Sequence, residues 1–230
     1  MNIVLTGATG FLGTRVADQI DRQGDLNLTR IVRRAEPAVG EREVVIDSLD
    51  ACTDWSTALK NQEVVIHAAA RAHIMREEVA DPLAEYRNVN VDGTLNLARH
   101  ALEAGVKRFV FVSSIKVNGE QTALGRCFTS EDSPAPEDPY GISKWEAEQG
   151  LRDIAAETGM EVVIIRPPLV YGPGVKGNFA SMINLVARGL PLPLGAVYNK
   201  RSLVALDNLV DLIITCIAHP GAANQTFLVS

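Results

Sequence analysis

Tyr140 and Lys144 stand four residues apart in Pro139-Tyr140-Gly141-Ile142-Ser143-Lys144. On a helix that spacing puts both side chains on one face, where they can meet the same ligand. An ammonium beside a phenol favours the phenolate and lowers its pKa, which makes the tyrosine a usable acid and base for an alcohol–ketone pair near neutral pH. A bare pair would more simply be a surface tyrosine and a solvated lysine, but this pair is not bare. Upstream, Phe109-Val110-Phe111-Val112 runs into Ser113-Ser114, an apolar strand ending in two hydroxyls. A serine at the carboxyl end of such a strand projects into the crevice where these sheets bind ligands. Ser114 can therefore hydrogen-bond the oxygen whose proton Tyr140 moves.

A second constellation opens the chain, Thr6-Gly7-Ala8-Thr9-Gly10-Phe11-Leu12-Gly13, with three glycines spaced three apart. A short buried strand precedes it and a helix starts near Phe11. The glycines let the backbone turn sharply, approach a pyrophosphate closely and let helix and strand pack together. The N–H groups and dipole at the helix start favour anionic phosphates. Glycine turns without ligands are common, but here the strand–turn–helix context that the motif requires is complete.

The elements that position these groups alternate along the chain. Strands are expected at 3–5, 28–32, 44–46, 64–68, 109–112 and 162–165, and helices at 11–23, 90–104 and 143–158, with Gly105 and Gly159 as stop signals. Apolar runs alternating with helices predict an α/β fold, a Rossmann-type doubly wound parallel sheet. Residues 1–166 form the dinucleotide-binding domain and 167–230 a small, partial substrate-binding lobe. In that lobe Pro167-Pro168 and Gly172-Pro173-Gly174 break regular structure, and helices follow at 178–188 and 207–218, the latter with Asp207 as N-cap. Residues 226–230 read as a strand returning to the main sheet. Ending on a strand suggests that a natural C-terminal portion is missing.

Composition narrows the function classes. The chain has 230 residues, 47% hydrophobic, with a formal net charge of −6 and no lysine/arginine run, which gives no footprint for nucleic acid or an anionic membrane. No apolar stretch approaches the roughly 20 residues that span a bilayer. Cys52, Cys127 and Cys216 are far apart and the four histidines lack ligand spacing, so neither a disulfide framework nor a metal site is suggested. A metal-free globular protein of the cytoplasm is expected.

Taken together, Gly7…Gly10…Gly13, Ser114 and Tyr140-xxx-Lys144 resemble the extended short-chain dehydrogenase/reductases, specifically the NAD-dependent epimerase/dehydratase group acting on nucleotide sugars. His67-Ala68-Ala69-Ala70, Val89-Asn90-Val91-Asp92-Gly93-Thr94, Arg166-Pro167 and Val170-Tyr171-Gly172-Pro173-Gly174 fit the same pattern, so the resemblance runs along the whole chain. It implies that Thr6, Gly7, Thr9, Gly10, Phe11, Leu12 and Gly13 line the pyrophosphate, that Asp47 and Ser48 lie near the adenine, and that Ala68, Ala69 and Ala70 lie near the ribose and nicotinamide. Lys144 would hold the nicotinamide ribose and Pro167 would approach the carboxamide. For the UDP-sugar substrate it implies Ser114, Asn178, Leu192 at the uracil and Arg201 at the diphosphate. Arg71 would reach the sugar or a phosphate, or else face solvent. A homodimer built from helix pairing is a further implication.

Four departures from the family pattern bear on the activity. Where NAD-binding members carry an aspartate after the second strand, the chain reads Ile31-Val32-Arg33-Arg34. A carboxylate there repels a 2′-phosphate, whereas Arg33 or Arg34 binds it, so NADP(H) is favoured and NAD(H) remains open. Ile115 and Lys116 replace the Asp-Glu pair of sugar dehydratases, which argues against dehydration. Asn118 stands where the family usually has a tyrosine, and Leu169 where many epimerases have an asparagine. The reading is redox chemistry at C4 of a UDP-hexose or UDP-N-acetylhexosamine, leaning to a 4-ketoreductase, with a UDP-glucose or UDP-N-acetylglucosamine 4-epimerase as the alternative. A non-catalytic NADP(H)-sensing protein is a reading of another class, disfavoured because Ser114, Tyr140 and Lys144 are all kept. A steroid or flavonoid reductase would need a more apolar lobe than Arg71 and Arg201 suggest.

Overall fold

The computed structural model describes residues 1–34, 42–71, 81–175, 177–189 and 199–230. β1 (Asn2–Thr6) leads through the glycine turn into α1 (Phe11–Arg22), then β2 (Asn27–Val32), β3 (Glu43–Val45) and β4 (Val64–His67). A short α2 (Pro82–Arg87) continues through a π-helical stretch, Asn88–Asp92, into α3 (Gly93–Glu103). β5 (Arg108–Val112), α4 (Pro139–Thr158) and β6 (Glu161–Arg166) follow. The remainder is β7 (Leu169–Tyr171), α5 (Gly177–Ala187), β8 (Leu203–Ala205), α6 (Leu206–Ala218) and β9 (Thr226–Leu228).

Seven strands pair in parallel in the order β3-β2-β1-β4-β5-β6-β9. The order reverses between β1 and β4, and ligands of such sheets bind at the carboxyl ends beside that reversal. Ile3, Val4 and Leu5 are fully buried because β1 is covered on both faces. Alternate residues feed two cores: Ile3 and Leu5 pack with Val16, Ile20, Leu209 and Ile213, whereas Val4 packs with Leu97, Phe111, Ala147 and Leu151. Thus α1 and α6 cover one face and α3 and α4 the other.

Several boundaries differ from the sequence expectations. α4 begins at Pro139, not residue 143, because the Asp138 side chain caps it, accepting from the Gly141 N–H at 2.6 Å, with Pro139 in the first turn. Tyr140 therefore lies in the first turn of the same helix that carries Lys144. Asp207 is not the N-cap of α6: Ala205 occupies that place without a side-chain cap, and the Asp207 carboxylate instead accepts from Arg15 Nη2 at 2.8 Å. The three-residue β7 and β8 form a separate parallel pair where the sequence predicts no strand. Segment 167–230 divides in space: α6 buries Leu209, Ile213 and Ile217 in the main core and β9 pairs with β6, while α5 leaves Met182, Ile183, Leu185 and Val186 exposed. Among the described residues, no helix is long and apolar enough to cross a membrane, and no group of side chains could hold a metal ion.

Candidate active site

The glycine turn is built by backbone proximity. Gly7 has φ of +72°, and a Cβ on it would stand 2.8 Å from the Ala69 backbone nitrogen. At Gly13 a Cβ would stand 2.0 Å from the Gly7 carbonyl oxygen, so only glycine lets α1 close onto the turn. Gly10 precedes α1 as its N-cap, with no side-chain cap and no acidic residue in the first turn. Uncapped N–H groups at a helix start, opened by glycine, fit a dinucleotide's pyrophosphate. Thr9 and Gly10 are exposed and Phe11 and Leu12 half-buried at this opening, whereas Thr6 is buried.

The Thr6 side chain is engaged inside the protein. Its hydroxyl lies 2.7 Å from His67 Nδ1 and accepts from the Ala69 N–H at 3.3 Å, and His67 Nε2 lies 2.9 Å from the Thr94 hydroxyl. His67 is fully buried, and burial followed by the Lys144 charge lowers its pKa to about 3, so the ring is neutral. This chain of contacts fixes the β1 end, the β4 end and α3 relative to one another. It places Ala68 and Ala69 half-buried and Ala70 exposed beside the glycine turn.

Across the reversal point, Ser114 caps a 3-10 turn, Ile115–Val117, its hydroxyl accepting from the Lys116 N–H at 3.2 Å. That turn packs on the start of α4, where a Cβ on Gly141 would meet the Lys116 carbonyl oxygen at 3.0 Å. Pro167 is tied in by its carbonyl, which accepts from the Ile115 N–H at 3.0 Å. Lys144 is buried with Nζ 4.0 Å from the centroid of the Phe111 ring on β5. Tyr86 of α2 meets the Tyr140 ring edge-on at 6.0 Å. Asn90, in the π-helical stretch, donates to Ser143 Oγ at 3.0 Å and to the Arg71 carbonyl at 3.1 Å, and Ser143 Oγ donates to the Tyr140 carbonyl at 2.8 Å. A widened turn inserted into a helix commonly marks a functional site. The sequence sets Val89-Asn90-Val91-Asp92-Gly93-Thr94 apart by resemblance alone and does not reveal these contacts of Asn90.

The electrostatics correct one expectation. Lys144 does not lower the Tyr140 pKa; the phenol is pushed up to about 12, by burial first, then by the Asp138 carboxylate and Tyr86. The ammonium lies against Phe111, and burial pulls its own pKa down to about 7, partly offset by Glu148, so near neutrality it is only partly charged. A lysine pKa lowered by folding means that the unfolded chain holds the proton more tightly. The resulting penalty is full below pH 7 and fades as pH rises towards the usual 10.5. Lys144→Met is therefore expected to stabilise the fold by about 2 kcal/mol or more at pH 7, with the gain shrinking at pH 10. Denaturant unfolding at the two pH values checks this.

The outlying site residues are more dispersed. The Arg71 guanidinium lies 5.7 Å from the Tyr86 ring centroid and 3.9 Å from Glu85, with the side chain 24% exposed. Arg33 and Arg34 are exposed immediately after β2, and Asp47 and Ser48 are exposed after β3. Arg201 is exposed before β8. Asn178 lies on α5, its side chain outside what is described, and Leu192 lies outside the described residues.

A parallel sheet reversing at a glycine turn, faced by a helix bearing Tyr140 and Lys144, defines a dinucleotide enzyme of the extended short-chain dehydrogenase/reductase type. The chain belongs to the NAD dependent epimerase/dehydratase family, whose model matches residues 3–230. It is 54% identical to a UDP-glucose 4-epimerase of Vibrio cholerae over 230 residues, all of this chain and 70% of that protein. It is 31% identical to the N-acetyl-alpha-D-glucosaminyl-diphospho-ditrans,octacis-undecaprenol 4-epimerase of Escherichia coli O157:H7, covering 98% of this chain and 66% of that one. Among solved structures, MoeE5 in complex with UDP-glucose and NAD superposes with a TM-score of 0.83 at 26% identity, covering all of this chain and 76% of that one. The chain is thus an NAD(P)-dependent enzyme of nucleotide-sugar epimerase/dehydratase type.

Proposed function

We propose that the chain carries the redox centre of a UDP-sugar 4-epimerase. The observation that carries this reading is the placement of Tyr140 and Lys144 on one helix, packed against the turn capped by Ser114 at the sheet's carboxyl edge. The similarity to 4-epimerases supports epimerisation better than the 4-ketoreductase favoured from sequence. When bound, the dinucleotide supplies the hydride acceptor and donor for C4. Tyr140 Oη takes the C4 hydroxyl proton as the ketone forms and returns a proton when the opposite face is reduced. Ser114 Oγ holds the same oxygen, and Lys144 binds the ribose. A homodimer remains part of this proposal, to be checked by sedimentation.

The test is direct. Nucleotide released by denaturing the purified protein is identified, and the protein is incubated with UDP-glucose or UDP-galactose. Interconversion without added cofactor supports the epimerase. NADPH oxidation that requires a UDP-4-keto sugar, without interconversion, overturns it.

One observation favours that second, reductase reading: β2 ends in Val32 and continues into exposed Arg33 and Arg34. Guanidinium forks suit a 2′-phosphate. NADPH is expected to bind at least as tightly as NADH, and the double substitution Arg33→Ala/Arg34→Ala to weaken NADPH about tenfold or more while leaving NADH within about twofold. Equal losses for both cofactors, measured by fluorescence titration, would remove the 2′-phosphate role.

A further inference from the structure

Glu148 sits one helical turn beyond Lys144 on α4 and is fully buried. Arg166, at the end of β6 and also buried, grips both of its oxygens: Nε donates to Oε1 at 2.9 Å and Nη2 to Oε2 at 2.6 Å. The Ser113 hydroxyl donates to Oε1 at 2.5 Å, and Arg152 Nη2 donates to Oε2 at 3.0 Å. Arg166 Nη1 donates in turn to Asn118 Oδ1 at 3.0 Å, and Asn118 Nδ2 to the Thr129 carbonyl at 2.9 Å. Ser113 precedes Ser114, Arg166 precedes Pro167, and Asn118 closes the turn that Ser114 caps. One carboxylate thus ties the tyrosine–lysine helix to both strand ends that carry the remaining site residues.

A buried ion pair of this kind is weak evidence for stability, since desolvation offsets most of its attraction. Its location suggests another use. We propose that Glu148 is a positioning residue for the redox centre, which locks α4 onto the ends of β5 and β6 and sets a negative charge one helical turn from Lys144. The groups around Lys144 single out this role. The Phe111 ring lies under Nζ, His67 is neutral, and Tyr140 holds its proton to about 12. Asp138 acts on Tyr140 and is ion-paired to Lys116, which also pairs with Glu120. Arg166 and Arg152 contact Glu148, and Glu148 is the charge that raises Lys144 against burial. Asn118, the departure noted where the family has a tyrosine, extends the same network.

The inference rests on the role given to Lys144 above, but its test needs neither turnover nor ligand. In protein labelled with 13C-lysine, the Lys144 Cε resonance, assigned by its loss in Lys144→Arg, is followed from pH 5 to 11. Glu148→Gln is expected to move the midpoint down by about one to two pH units, the scale of one unit charge a helical turn away. Arg166→Gln breaks the same ion pair but leaves the carboxylate, so its midpoint is expected to move up. A purely structural pair would lower thermal stability in both variants without opposite titration shifts. An unchanged midpoint in Glu148→Gln, or shifts of the same sign, overturns the proposal. Should Glu148→Gln fail to fold, an upward shift in Arg166→Gln supports it and any other result overturns it.

Discussion

Tyr140→Phe is expected to lower UDP-sugar interconversion about 10²- to 10⁴-fold, the contribution of a positioned general acid–base. The fold and dinucleotide binding are expected to stay intact, because the phenyl ring keeps its edge contact with Tyr86 and its seat in the first turn of α4. The side chain's own surroundings hold its proton to about 12, so neutral protein presents the phenol, the form that donates a proton. Working as a base requires positive charge nearby, which Lys144 does not bring to bear on the phenol and a bound cationic nicotinamide would supply. Initial rates with UDP-galactose, alongside cofactor titration, test the expectation. A variant within about twofold of the parent rate would remove Tyr140 from the chemistry.

Gly13→Ala is expected to destroy the dinucleotide site and cost about 3 kcal/mol of stability. The added methyl would stand 2.0 Å from the Gly7 carbonyl oxygen, 2.7 Å from its carbon and 3.0 Å from Ala8 Cα. All three atoms are backbone, so no rotamer change relieves the clash; α1 must lift from β1. Lifting it displaces the N–H groups that face the phosphates and opens the core around Val16 and Ile20. Gly24→Ala is the control, since nothing lies within 4 Å of a Cβ there. Denaturant midpoints and dinucleotide affinity should fall together for the first and stay near the parent for the second.

Much of this architecture was legible because local and global preferences coincide. The uninterrupted apolar runs of β1, β4, β5 and β6 have no other use than a sheet buried on both faces. The glycine spacing encodes a backbone approach that side chains forbid, and the four-residue spacing of Tyr140 and Lys144 survives any shift of helix boundary. Other features were hidden for physical reasons. β7 and β8 are three residues each and exist by pairing with one another across a long insertion. The start of α4 is hidden because its first turn holds a glycine, a poor helix former that Pro139 at the first position and the Asp138 cap offset. Asp207 was read as a cap from its type alone, yet a partner 192 positions away, Arg15, claims its carboxylate.

The sequence by itself determined which chemistry is available: a phosphate-binding turn, an acid–base pair and a hydroxyl, each defined by residue type and short-range spacing. Tertiary structure decided how those groups are charged and held. Lys144 rests on Phe111 and is desolvated there, and Tyr140 answers to burial and Asp138 rather than to Lys144. The Glu148–Arg166 pair bridges a helix and a strand end 18 residues apart in the chain. Spacing along a helix is fixed by covalent geometry and can be read locally. Charge state depends on every group that packing brings near and on the water it removes, and only the assembled sheet and helices set that.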